Sequence, residues 1–135
     1  MYEMTVWIDV ALRTPDRTEP LWDILCTLFG RVKFVTKPSI DEALSFHPSK
    51  DSNYSFHLVS PIGHHFPSNS VRVNVEGVTH CPLRKDGTSY DHTSLHCSEV
   101  VVPSKEDAKQ LCRFLIAEYG FEIDRYGLNE LGEVD

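Results

Sequence analysis

The chain is short of positive charge. Against 20 Asp and Glu it sets 13 Lys and Arg, a formal charge of −7 with neutral histidine. Binding to double-stranded nucleic acid draws on a basic face that displaces counterions, so the sign argues against that class of partner. Long apolar runs are missing too: none approaches the ~18 residues that span a bilayer, which argues against a membrane. The opening Met-Tyr-Glu-Met-Thr-Val-Trp-Ile-Asp has acids and no basic start, so no secretory leader is expected. Cysteine is scarce: Cys26, Cys81, Cys97 and Cys112, with no C-x-x-C spacing. The expectation is a cytoplasmic protein with reduced thiols. The sequence also lacks a phosphate loop, a dinucleotide fingerprint, an H-E-x-x-H helix and a nucleophile elbow.

What remains is an ordinary globular composition, 41% hydrophobic and 24% charged over 135 residues, enough for one core. The organisation read from pattern is a single domain over 1–126 and an irregular acidic tail over 127–135. From Phe121 to the end there are five acids and one Arg, so more than half of the charge excess sits in the last fifteen residues. Seven histidines add pH sensitivity, because protonating all of them would bring the formal charge to about zero.

Met4 to Leu12 alternates, with Val6, Ile8, Val10 and Leu12 on one face and Thr5, Trp7, Asp9 and Ala11 on the other, a half-buried strand. Thr18 as N-cap, Pro20 in the first turn, Leu21, Ile24, Leu25 and Leu28 at helical spacing and Gly30 at the end predict a helix. A short strand follows over 32–36. Ser39-Ile40-Asp41-Glu42 is a capping-box pattern and predicts a second, short helix to about Leu44. The polar run from Phe46 to Asn53 reads as a loop. Tyr54, Phe56 and Leu58 mark a strand that turns His57 to its opposite face, and Pro61 to Pro67 is a turn-rich connection.

Val71, Val73 and Val75 alternate with Arg72, Asn74 and Glu76, and Gly77 marks a bulge before the strand resumes. After a turn around Asp86-Gly87 a return strand runs from about Ser94 to Val102. Ser104, with Asp107 three residues on, caps a helix whose core stripe is Ala108, Leu111, Cys112, Leu115 and Tyr119 and which Gly120 ends; Phe121 and Ile123 begin a last strand. Leu25-Cys26 before Phe29-Gly30 is echoed by Leu111-Cys112 before Tyr119-Gly120. Two such units predict an α+β fold: an antiparallel or mixed sheet of about five to six strands with two main helices on one face, ferredoxin-like in plan.

Reactive side chains accumulate in the hairpin between Val71 and Val102. His80-Cys81 and His96-Cys97 are two His-Cys pairs, with His92 between them. If the strands pair antiparallel, Cys81, His92, His96 and either His80 or Cys97 supply the four N/S donors that zinc takes. A second reading is catalytic. His96-Cys97-Ser98 in a strand, followed by Val-Val-Val-Pro-Ser and a helix, resembles one half of the two-histidine phosphoesterase pattern, and Val6-Trp7-Ile8-Asp9 has that family's look. The resemblance covers about 30 residues and implies one His as general base and another as general acid. The partner motif departs from the pattern, since His57-Leu58-Val59 lacks the hydroxyl and His47-Pro48-Ser49 falls in a loop. The residues such a hydrolase would use are His96, His92, His57 and Ser98.

With no cofactor signature and an excess of acid, the leading expectation is a small protein-binding module of inhibitor, immunity or adaptor type, with a basic partner. The alternative is a metal- or histidine-dependent hydrolase built on the hairpin. An exposed sheet edge would also allow a homodimer by strand pairing. Trp7 and Trp22 would either make an exposed aromatic contact or, as is commoner, lie under another element.

Overall fold

The computed structural model describes residues 2–13, 23–88, 93–127, 129–132 and 134. The chain runs β1 (Tyr2–Leu12), β2 (Asp23–Phe34), β3 (Ala43–Phe46), β4 (Phe56–Val59), β5 (His65–Ser68), β6 (Val71–Thr79), β7 (Ser94–Cys97), β8 (Val100–Val102), α1 (Lys105–Tyr119) and β9 (Glu122–Ile123). The sheet order is β3-β6-β7-β1-β2-β9, with β8 also on β1, so that β7 and β8 act as one interrupted stave of a curled half-barrel. The sheet is mixed, because β1 is antiparallel to β2 but parallel to β7 and β8. β4 and β5 form a separate antiparallel hairpin.

The ferredoxin-like plan with two helices is therefore overturned: the fold is mainly β, with one helix among the described residues. The stretch read as the first helix is the long strand β2, paired with β1 from Tyr2↔Phe34 to Leu12↔Asp23. Its composition favours this outcome, since Ile24, Cys26, Thr27, Phe29 and Val32 are β-branched, aromatic or otherwise weak helix formers. A bulge supplied the false helical signal. Val10 faces Cys26 and Ala11 faces Ile24, which leaves Leu25 as the extra residue. Leu25 and Cys26 are consequently both buried, and adjacent buried residues followed by Leu28 mimic a 3.6-residue period. Thr18, Pro20, Leu21 and Trp22, part of the same reading, lie outside the described residues.

The second helix fails for a different reason. The capping-box bonds do form: Glu42 Oε1 accepts from Ser39 N at 2.7 Å and from Ser39 Oγ at 2.6 Å. They close a turn whose Asp41 has φ 72°, and the chain leaves it as β3. Asp41 N donates to Val75 O at 2.9 Å and Val75 N to Glu42 O at 2.8 Å, so backbone bonds to β6 begin where the helix would have.

Other elements match the pattern. β6 pairs antiparallel with β7, with a shift of register between Val75 and Gly77. The inward residues Val6, Ile8, Val10, Leu28, Val73, Val75, Leu95 and Val102 form one core with Leu111, Phe114 and Leu115 of α1, which fills the concave side. Full burial of each aliphatic side chain contributes on the order of 1.5–3 kcal/mol. The β4–β5 hairpin extends this core, because Phe56 and Tyr54 pack on Phe114 at centroid distances of 6.0 and 5.3 Å. On the edge strand β3, the Phe46 ring meets Tyr119 and Phe121 edge-on at 5.0 and 5.7 Å.

The acidic C-terminal segment rejoins the sheet. Asp124 N donates to Thr27 O at 2.9 Å, Glu130 N donates to Leu25 O at 2.8 Å, and Leu131 is buried against the core.

Ser104 caps α1 as expected. Its Oγ accepts from Asp107 N at 3.1 Å and donates to Asp107 Oδ2 at 2.6 Å. The other carboxylate oxygen of Asp107 accepts the His57 backbone N–H at 2.8 Å and so ties the hairpin to the helix start. Ser104→Ala is expected to lower stability by about 1 kcal/mol, the usual worth of such a cap. Urea denaturation would check this, and an unchanged midpoint would mean that the cap contributes nothing.

Candidate functional site

The alternation that fills the half-barrel also decides what lies on its outside. On β1 the outward residues are Thr5, Trp7 and Asp9; on β2 they are Thr27, Phe29 and Arg31. The register sets Trp7 between Phe29 on one side and His96 on the other, and Asp9 opposite Thr27. Trp7 stacks on Phe29 with centroids 5.1 Å apart and 27° between planes. Thr27 Oγ1 donates to Asp9 Oδ1 at 2.6 Å. No described element lies over this convex face, so Trp7 and Phe29 are only half-buried.

Two depressions flank the aromatic pair. A groove of about 690 Å³ runs along Thr5, Trp7, Phe29 and Arg31 and reaches Cys81, Ser94 and Glu122. A smaller pocket of about 300 Å³ is lined by Trp7, Asp9, Thr27, His96 and Cys97. The surroundings are acidic: Glu122 faces Phe29 across the β2–β9 ladder, and Asp124 follows beside Thr27. Glu76 lies close enough to Cys97 for its charge to act on the thiol. Burial, assisted by that charge, pushes Cys97 up to about 11. At neutral pH it is therefore a neutral thiol and a poor nucleophile.

The hairpin pairs as expected but does not gather its donors. Thr79 faces Ser94 and Gly77 faces His96, so Cys97 stands opposite Val75, while His80 and Cys81 lie beyond the end of β6. The register separates the two His-Cys pairs along the ladder, since His96 faces Gly77, three residues before His80, and β6 ends at Thr79. His80 and Cys81 are exposed. His96 is exposed, with Nε2 3.1 Å from Thr79 Oγ1. His92 lies outside the described residues. Among the described residues no group of three or more His, Cys, Asp or Glu is placed to hold a metal ion, so the zinc expectation is corrected.

The residues named for a hydrolase are also dispersed. Ser98 is engaged with the backbone of β6: its Oγ accepts from Asn74 N at 2.9 Å and its own N–H donates to Asn74 O at 2.8 Å. His57 belongs to the β4–β5 hairpin, where its Nδ1 stands 3.6 Å from Asp107 Oδ1. That pair joins hairpin to helix and does not include His96 or Ser98.

The remaining thiols, Cys26 and Cys112, meet in the core with sulfurs 3.9 Å apart. The hydrogen bond to Cys26, reinforced by burial, pushes the Cys112 thiol up. The echo noticed in the sequence thus marks two buried positions that touch, one on a strand and one on the helix.

Pattern reading placed Trp7 and Asp9 on the outer face of their strand but could not find their companions. Thr27 and Phe29 fall in the stretch whose spacing predicts a helix, and only the pairing of β2 with β1 brings them alongside. No family model, curated protein or solved structure matches the chain.

Proposed function

We propose that this protein is a small protein-binding module of inhibitor, immunity or adaptor type, acting through the convex face of its half-barrel on a partner with a basic surface. The observation that carries the reading is the stacked Trp7–Phe29 pair, half-buried at the centre of a sheet face with no described cover. Aromatic side chains of this kind dominate protein interfaces, because they bury much area at little conformational cost. Asp9, Glu76, Glu122 and Asp124 around the pair, together with the net charge of −7, match a basic partner.

The hydrolase alternative finds no assembled acid, base and nucleophile among the described residues. His96, Ser98 and His57 each engage a separate structural partner.

The test is comparative capture. Immobilised wild type and Trp7→Ser would be exposed to the same protein mixture at low and at high salt, and the retained species compared and then titrated. A retained partner is expected to be basic, to bind more weakly as salt rises, and to lose about 2 kcal/mol, or roughly 30-fold, against the variant. A partner held equally by both proteins, or held independently of salt, would sink the reading. Trp7 is half-buried against Phe29, so the variant should lose roughly 1 kcal/mol of stability with that cross-strand pair yet keep the wild-type circular-dichroism spectrum, and capture is compared under conditions where both proteins are folded.

A further inference from the structure

We infer that the pocket between Trp7 and Asp9 is an acceptor for a single arginine side chain projecting from the partner, a step that rests on the protein-binding reading. The argument starts from the sheet. β1 is flanked by β2 and β7, so the outward Trp7 has two lateral neighbours, and Phe29 occupies only one side of it. On the other side the indole faces the pocket that it shares with His96, Asp9, Thr27 and Cys97. One wall of this pocket is an aromatic surface and another is a carboxylate.

That carboxylate is fixed and half-satisfied. Thr27 Oγ1 donates to Asp9 Oδ1 at 2.6 Å, while Oδ2 has no hydrogen-bond partner among the described residues. A planar cation can meet both walls at once, stacking on the indole while its N–H groups donate to Oδ2. Arginine suits this better than lysine. Its guanidinium is flat, weakly hydrated and forked, whereas an ammonium is a compact, strongly hydrated point charge.

Charge complementarity points to the same occupant. Asp9 lines the pocket, and Glu76 acts on Cys97 in its wall. Cys97 remains a neutral thiol. His96 is held by Thr79 and closes the side of the pocket away from Phe29. Arg31, the nearest cation on β2, lines the adjoining groove and not this pocket. The volume of about 300 Å³ admits one side chain and no folded element.

The experiment titrates ¹⁵N-labelled protein with N-acetyl-arginine amide, its neutral isostere N-acetyl-citrulline amide, and Nα-acetyl-lysine amide. The arginine compound is expected to give saturable shifts at the Trp7 indole N–H and at the Thr27 and His96 amides. The citrulline compound should bind at least about tenfold more weakly, because it loses the charge-assisted bonds. Asp9→Asn, which preserves shape and the Thr27 contact, should lose the discrimination while keeping a folded spectrum. Equal shifts from arginine and citrulline, equally tight binding of lysine, the absence of saturation, or an unaffected Asp9→Asn variant would each overturn the assignment. Partner capture separates this inference from the reading beneath it. A partner lost by Trp7→Ser but retained by Asp9→Asn overturns the arginine pocket alone. A partner retained by both overturns the convex face as well.

Discussion

Phe114→Ala is expected to cost about 3–5 kcal/mol, a third or more of the stability of a typical domain of this size. The reason is its position, not merely its burial. Phe114 lies on the face of α1 that looks toward the β4–β5 hairpin, and its ring meets Tyr54, Phe56 and Tyr119 at 5.3, 6.0 and 6.1 Å. The hairpin is not part of the main sheet, so its attachment depends on these rings, on the His57–Asp107 bond and on Leu58. Removing the ring both opens a cavity in the core and loosens the hairpin. Urea denaturation followed by tryptophan fluorescence would measure the loss. Hydrogen exchange would show whether β4 and β5 lose protection before β1 and β2, as their separate attachment implies. A loss below ~1 kcal/mol, or uniform exchange across the two sheets, would contradict this account of the hairpin.

How much of this could be read from the sequence depended on whether the local signal and the tertiary pairing agreed. They agree in β6, where Val71, Val73 and Val75 alternate and Gly77 marks the bulge. In α1 they agree again, because Ser104 and Gly120 cap a stripe that the core buries. They disagree in β2. There the bulge at Leu25 breaks the two-residue period where a strand most needs it, and Gly30 looked like a helix end. The Ser39–Glu42 box misled because its hydrogen bonds are local and do not require a helix to follow.

The site was legible only in half. Trp7 and Asp9 fell on one face of β1 by alternation, but the other half of the pair and pocket, Phe29 and Thr27, is brought there by the pairing of β2. The parallel contact that sets His96 beside Trp7 joins residues far apart in the chain, and no local pattern encodes it. Conversely, the His-Cys pairs looked like a site because they recur in sequence. The pairing register, with His96 opposite Gly77, and the end of β6 at Thr79 set the two pairs apart along the ladder.

Gly30 supplies the second large effect. Its place after Leu28 suits a helix terminus, yet it sits inside β2 opposite Val6 and is buried. What excludes a side chain there is Phe121. A Cβ at position 30 would stand 3.0 Å from Phe121 Cγ and 3.2 Å from its Cα. Phe121 cannot retreat easily. Gly120, at φ 72°, ends α1 with its N–H on Ile116 O, and the Phe121 N–H donates to Leu115 O. Phe46 packs edge-on against the ring.

Two effects favour replacing this glycine. The unfolded chain would lose entropy, worth about 0.5–1 kcal/mol, and valine is the better strand former. Overpacking opposes them at about 1–3 kcal/mol or more, and the contact with backbone Cα places Gly30→Val at the upper end, a net loss of about 2–3 kcal/mol. A double-mutant cycle isolates the cause. Phe121→Ala alone should be strongly destabilising through its cavity, and Gly30→Val added to it should cost less than in the wild type, because the Cγ and Cδ1 contacts are gone while the 3.2 Å approach to Cα remains. A Gly30→Val protein as stable as wild type would mean that the close approach of β2 to the end of α1 does not set the identity of residue 30, and a cycle whose costs simply add would mean that the Phe121 ring is not what excludes the side chain.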